Sequence, residues 1–269
     1  MKKFIYVLMA AATLAAVACE KATPNTGDEN ANEEENVEVE TRKVLAHLAS
    51  HYDEAAGPYG GRMFRYDEAG KLVGVDETWL NEDGSTGTWN LDVEYTDNKV
   101  IFKEQESGNV DREWTIGTNG YVSSVTKGET VYAYSYDADG HLVEIKENGE
   151  VCSVITWKDG NLVSWSKEKE LKDENDEYTI ARIKAQTYTT QENIGGVHIV
   201  FSEKSSMSQW MYETGLFGKA SKNLVATDQW TNSETGATFD YRYDNDGYVI
   251  ASFKYYGDKL DDEKYYVWK

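Results

Sequence analysis

One short motif recurs along this chain and restricts it to antiparallel hairpins. Tyr66-Asp67-Glu68-Ala69-Gly70-Lys71-Leu72-Val73 returns as Tyr136-Asp137-Ala138-Asp139-Gly140-His141-Leu142-Val143, and again as Tyr243-Asp244-Asn245-Asp246-Gly247-Tyr248-Val249-Ile250. Weaker copies begin at Tyr95, Ile116 and Trp157. In each, an aromatic or apolar residue ends one strand, Asp or Asn with Gly turns the chain, and aliphatic residues begin the next strand. Gly supplies the positive φ of a tight turn, and the Asp or Asn side chain bonds the turn backbone. The copies at 95, 116, 136 and 157 lie 20 or 21 residues apart, enough for two strands and two turns. The step from 66 to 95 is 29 residues and predicts one insertion; the step from 157 to 243 is 86 and predicts about four further units.

Alternation within the repeats fits strands. Tyr132, Tyr134 and Tyr136 fall on one face, against Val131, Ala133 and Ser135. Val249, Ala251, Phe253 and Tyr255 oppose Ile250, Ser252, Lys254 and Tyr256. Two prolines, Pro24 and Pro58, leave the strands uninterrupted. Helix is expected in two places. One runs from Glu40 to Ala55, with Thr41 as N-cap and Val44, Leu45, Leu48 and Tyr52 on one face. A shorter one covers Ser208 to Thr214. Both are expected to cover an open end or edge of the sheet. The fold class expected is all-β: an antiparallel up-and-down meander of hairpin repeats forming a barrel-like or strongly curved sheet, with one or two short helices.

The N-terminus reads as an address. Lys2 and Lys3 precede an apolar run from Phe4 to Val17, then small residues, then Cys19. That is the layout of a secretory signal, too short to span a bilayer comfortably. Ala16-Val17-Ala18-Cys19 resembles a bacterial lipobox, which implies cleavage before Cys19 and acylation of that residue. Residues 20–40 hold eight acids against Lys21 alone, a composition that does not fold and extends by self-repulsion. Acids just after the acylated cysteine, here Glu20, resemble a surface-export signal of gut Bacteroidota lipoproteins. The expected organisation is a signal peptide over 1–18, an acylated Cys19 with an acidic tether over 19–40, and one β-repeat domain over 41–269. The expected location is the outer membrane, lipid-anchored, on the cell surface or the periplasmic face.

With 48 acids against 27 bases the chain carries a net charge of −21. Phosphate binding needs a basic footprint, so nucleic acid is not an expected partner. The stretch Leu216-Phe217-Gly218-Lys219-Ala220-Ser221-Lys222-Asn223-Leu224, followed by Trp230 and by Tyr241-Arg242-Tyr243-Asp244-Asn245-Asp246-Gly247-Tyr248-Val249, resembles the C-terminal part of a lipoprotein family from gut Bacteroidota. That family is a domain of unknown function with a porin-like fold. Its members usually carry Pro after Asn-Leu, where this chain has Val225. The repeats over about 60–255 also resemble the Tyr-Asp repeats of Rhs-type proteins. The resemblance implies a curved antiparallel sheet and no activity. A membrane-spanning barrel is not expected, because the strands look shorter than a span needs and Glu144, Lys146 and Lys254 place charge on both faces.

His47 and His51 stand four apart on the expected helix but lack the Glu of a zinc-protease motif. Asp137-x-Asp139-Gly140 and Asp244-x-Asp246-Gly247 resemble the start of a calcium loop, yet the twelfth positions are Asn148 and Tyr255 rather than Glu. Cys152 lies in a strand and reads as an inert thiol, with a reactive thiol as the alternative. Gly60-Gly61 and Gly195-Gly196 lack a phosphate-loop frame. No catalytic residue, metal or cofactor is therefore expected, and the one site residue assigned is Cys19, for lipid attachment. The 8 Trp and 19 Tyr are the suggestive feature. They pack across strands, or on a wet face they stack sugars or line a ligand cavity. The reading is a non-catalytic binding module for a glycan or small apolar ligand, sited in the concavity or mouth of the sheet. A structural or protein-partner module is the alternative, and a hydrolase the third.

Overall fold

The Tyr-Asp motifs fold as one repeated turn. Asp67 Oδ1 accepts the backbone N–H groups of Ala69 and Lys71, both at 2.9 Å. Asp137 does the same for Asp139 and His141 at 3.0 and 2.8 Å, and Asp244 for Asp246 and Tyr248 at 2.9 Å each. Gly70, Gly140 and Gly247 take φ of 75°, 89° and 87°, a region that costs a side chain strain. The computed structural model describes residues 43–172, 178–198, 209–230 and 235–269, without the side chains of 167–172, 178–186, 209 and 230. The expectations for 1–40 lie outside the described residues.

The strands in chain order are β1 (Leu45–Ala49), β2 (His51–Asp53), β3 (Gly57–Tyr59), β4 (Gly61–Tyr66), β5 (Leu72–Leu80), β6 (Thr86–Tyr95), β7 (Lys99–Glu104), β8 (Val110–Ile116) and β9 (Val122–Lys127). Then come β10 (Thr130–Tyr136), β11 (Leu142–Glu147), β12 (Glu150–Lys158), β13 (Asn161–Lys172), β14 (Tyr178–Glu192), the helix α1 (Gln209–Glu213), β15 (Asn223–Trp230), β16 (Ala237–Tyr243), β17 (Val249–Tyr256) and β18 (Lys259–Trp268). β4 to β18 form one antiparallel meander, and β1 pairs with both of its ends, β18 and β4. β1 is five residues long and pairs Leu45–Ala49 with Trp268–Tyr265. The two ends of the sheet are therefore joined over part of their height only. Beside that seam, β2 and β3 make a separate hairpin.

The expected architecture is thus present, with the Tyr-Asp turns all at one rim. At that rim a regular device appears. Seven strands carry an extra, unpaired residue near this rim: Ala46, Val73, Ser123, Val143, Val163, Ala226 and Ile250 are skipped in the register. Each bulge frees the carbonyl of the residue before it, and at all of them but Val73 an aromatic side chain from the neighbouring strand donates to that carbonyl. Tyr66 bonds Leu45 O at 3.0 Å, Tyr136 bonds Val122 O at 2.7 Å, and Tyr241 bonds Val225 O at 2.6 Å. Tyr188 bonds Leu162 O, while the indoles of Trp157 and Trp268 bond Leu142 O and Val249 O at 2.7 Å each.

At the level of α1 the described interior is packed with apolar side chains. Between β14 and β15 the chain turns inward and carries α1 into the lumen. Trp210 packs with Phe102 and Trp114 at ring distances of 5.9 Å and with Phe64 at 6.5 Å. Phe217 meets Trp114 at 4.9 Å and Tyr134 at 5.2 Å, both edge to face. Trp114, Trp165, Trp210, Tyr212 and Phe217 are all fully buried. The segment that follows α1 straps the turn rim from within. Val122 N–H donates to Leu216 O at 2.8 Å, Lys219 N–H to Gly140 O at 2.9 Å, and Lys222 N–H to Gly160 O at 2.9 Å.

Three expectations are corrected. The helix over Glu40–Ala55 is not formed from Leu45 onward, where β1 and β2 run. The bulge at Ala46 puts Leu45 and Leu48 on one side of a strand, so a helix-like spacing of three arises in β structure. The shorter helix exists as α1, but it fills the lumen instead of covering an edge. The stretch between Trp157 and Tyr243 holds β13 to β16, two hairpin units rather than four, because β13 and β14 have 12 and 15 residues and the inward excursion occupies the rest.

Candidate functional site

The outer wall has two characters. Over β4 to β8 it is laced with ion pairs from strand residues. Arg65 lies across Gly74 to reach Asp76 and Asp92 at 2.9 Å each; a Cβ on Gly74 would stand 2.1 Å from the guanidinium. Lys99 pairs with Glu113 and Lys103 with Glu94, both at 2.6 Å. An outer-membrane barrel instead shows lipid an uninterrupted apolar band. Among the described residues no helix is long and apolar enough to cross a membrane.

Over β16 to β18 and β2 the wall is aromatic. The bulge at Ile250 inverts the alternation expected for β17. Val249 points inward, but beyond the bulge Ser252 and Lys254 point inward and Ala251 and Phe253 outward. Ser252 Oγ meets the buried Tyr266 hydroxyl at 3.2 Å. Outside, the Arg242 guanidinium lies 5.0 Å from the Phe253 ring, Phe253 stands edge-on to Tyr265 at 6.2 Å, and Tyr265 stacks on Tyr52 at 5.1 Å and 28°. The row crosses four strands. Tyr265 donates its hydroxyl to Glu263 at 3.0 Å, and burial with that carboxylate raises the Tyr265 pKa. Tyr52 is held out by its hairpin: Asp53 Oδ1 accepts Ala55 and Ala56 N–H at 2.8 Å each, and Gly57 turns the chain at φ 82°. Tyr52 is 51% exposed and Tyr59, tilted against His51 on the other face of the hairpin, 49%.

The sequence-selected residues fall as follows. His47 and His51 do not share a helix face; His47 Nε2 bonds Gly60 O at 2.7 Å and His51 lies on β2. Lys43 Nζ occupies the second Asp-x-Asp turn, 2.8 Å from Asp244 and 2.5 Å from Asp246. The first turn brings ligand atoms of Asp137, Asp139 and His141 within 4.8 Å of one another, but Asp137 is already engaged by two N–H groups and the His141 ring. Cys152 lies beside a register shift in β12 and bonds Ile145 O at 3.4 Å. Asp228, pointing inward near Lys254, has its pKa pushed up to about 6 by burial. Buried Arg112, paired with Asp111, lies between the Trp89 and Trp210 rings at 5.6 and 5.4 Å. Sequence reasoning missed the row of Arg242, Phe253, Tyr265 and Tyr52, since only the bulge and the hairpin bring it together.

A model of the family described as "Domain of unknown function (DUF4595) with porin-like fold" matches residues 64–251. The chain belongs to this family. Two solved structures share its fold. A porin-like protein from Bacteroides uniformis is similar with a TM-score of 0.63 and 18% identity, over 84% of this chain and 98% of that one. A porin-like protein from Bacteroides vulgatus is similar with a TM-score of 0.55 and 13% identity, over 84% and 99%. No curated protein matches the chain. In this member of the porin-like family the described lumen is packed with side chains at the level of α1, and ion pairs line part of the outer wall.

Proposed function

We propose that this chain is an envelope protein held to the outer membrane by lipid on Cys19, spaced by the acidic stretch 20–40, and that its β domain is a non-catalytic binding module. The ligand lies on the outer wall rather than in the lumen. The observation that carries this reading is the aromatic row on the outer wall beside an interior already filled by Trp210, Tyr212 and Phe217. Contiguous exposed apolar surface of this kind marks recognition surfaces. Support for the envelope comes from the N-terminal sequence and from the family's Bacteroides structures.

Two experiments test it. Metabolic labelling with a fatty acid is expected to mark the wild-type protein and not Cys19→Ala, which leaves the membrane fraction. Hydrogen exchange of the full chain in detergent, with neutral polysaccharides, fatty acids and envelope proteins added in turn, is expected to show protection in β2, β17 and β18. Protection confined to α1 and the lumen would refute outer-wall binding. A protein-partner module is the second reading; Trp79 and Leu80, 44% and 66% exposed at the end of β5, favour it.

A further inference from the structure

We infer that the row Arg242–Phe253–Tyr265–Tyr52 is a platform for a neutral glycan chain. The inference rests on the outer-wall binding reading above and names its ligand class. Three features of the row select that chemistry.

The first is ring presentation. Tyr52 lies nearly parallel to Tyr265 at 5.1 Å, yet half of its surface is open to solvent. A stacked ring with an open face offers a flat apolar surface, the complement of the C–H face of a pyranose ring. The row crosses from β16 to β18, two strand spacings or roughly 10 Å, and continues onto β2, the reach of a few linked sugar units.

The second is the alternation of apolar faces with hydrogen-bonding groups. Glu263 accepts the Tyr265 hydroxyl through Oε2. Its other carboxylate oxygen is an acceptor for a sugar hydroxyl. Arg242 lies over Phe253 and carries a fork of N–H donors beside the ring. A fatty chain or an apolar helix laid on this row would bury those groups without partners, at a cost a hydroxyl-rich ligand avoids.

The third is charge. Asp53 and Glu54 follow Tyr52 on the hairpin, and Asp240 and Glu263 stand opposite Phe253 on the neighbouring strands, against Arg242 alone, in a chain of net charge −21. Anionic glycans and anionic lipid surfaces are repelled by such a field.

The test is affinity electrophoresis of the full chain in detergent through gels that contain neutral glucans, mannans, galactans or xylans, or an anionic polysaccharide. The variants are Tyr52→Ala, Tyr52→Phe and, away from the row, Trp79→Ala. The wild type is expected to be retarded by at least one neutral polysaccharide. Tyr52→Ala should weaken that binding about tenfold, the scale of one aromatic contact, while Tyr52→Phe and Trp79→Ala stay within about twofold. Tyr52 makes no core contact, so thermal unfolding of the variants should match the wild type. Equal retardation of Tyr52→Ala overturns the platform, as does retardation by the anionic polysaccharide alone. Failure of every glycan overturns the ligand class. If β2, β17 and β18 are then still protected in hydrogen exchange by a lipid or a protein, the broader outer-wall reading stands without this one.

Discussion

The aromatic-to-carbonyl bonds at the turn rim make a measurable claim about what holds the ring of strands in register. Tyr66, Tyr136, Tyr188 and Tyr241 each donate a hydroxyl to a carbonyl that a bulge has turned out of the ladder. Tyr→Phe at each site keeps the ring in place and removes only the donor. Each carbonyl is then left without that partner, for a loss of about 1 kcal/mol per site. The four sites lie on β4, β10, β14 and β16, so neighbouring sites are two strand spacings apart or more, roughly 10 Å, and their effects should add. The quadruple variant is expected to lose about 4 kcal/mol, with a fall in Tm of about 8–16 °C for a domain of this size. The assay is urea denaturation of the four single variants and the quadruple one, with an unchanged m-value as the check that both end states are preserved. The same tyrosines are held protonated by burial: Tyr188 is pushed up to about 12, and Tyr66, Tyr136 and Tyr241 higher still. A raised folded pKa means a contribution to stability that is whole below the usual value near 10 and is lost as pH rises through the folded value. Wild type should therefore unfold in alkali, and the quadruple variant should show a shallower alkaline loss. A quadruple variant within about 1 kcal/mol of wild type would show that the bulge carbonyls do not depend on these hydroxyls.

Four shorter predictions follow from other contacts. Burial pushes the Asp228 pKa up from 3.8 to about 6, so its contribution to stability is whole below the usual value and is lost as pH rises through the folded one; Asp228→Asn should gain about 1–3 kcal/mol at pH 8 and nothing at pH 3, by urea midpoints. His198 is buried and its pKa lowered to about 3, so stability is whole above the usual value near 6.5 and falls as pH drops towards 3; His198→Gln should flatten that acid slope. Trp210→Ala empties the centre of the lumen and should cost about 3–5 kcal/mol, whereas Trp79→Ala at the surface should stay within about 0.5 kcal/mol. Gly61 has φ 78° and a Cβ there would stand 2.2 Å from Leu48 O, so Gly61→Ala should destabilise by more than about 1 kcal/mol and loosen the β1–β4 junction, read as faster hydrogen exchange in β1.

The Tyr-Asp-x-Asp-Gly units and their spacing determined, by themselves, that this chain is an antiparallel meander, because each unit encodes its turn locally: Asp bonds the turn backbone, Gly takes positive φ, and both strands are within a few residues. The inward face of β10, with Tyr132 and Tyr134, was legible for the same reason, since period-two alternation survives where the ladder is unbroken. Tertiary structure alone decided the rest. A bulge adds one residue and reverses every later side chain in the strand, so Phe253 stands outside and Lys254 inside, against the alternation read from sequence. The bulge at Ala46 likewise gave β1 the spacing of a helix. That α1 fills the lumen follows from the rings of Phe64 on β4, Phe102 on β7 and Trp114 on β8, which converge on Trp210 only when the sheet curls. The aromatic row joins Tyr52 to residues 242, 253 and 265 of the last three strands, far from it in the chain, across the seam where β1 stops at Ala49. No local pattern carries that information, because the seam is a property of how the two ends of the sheet meet.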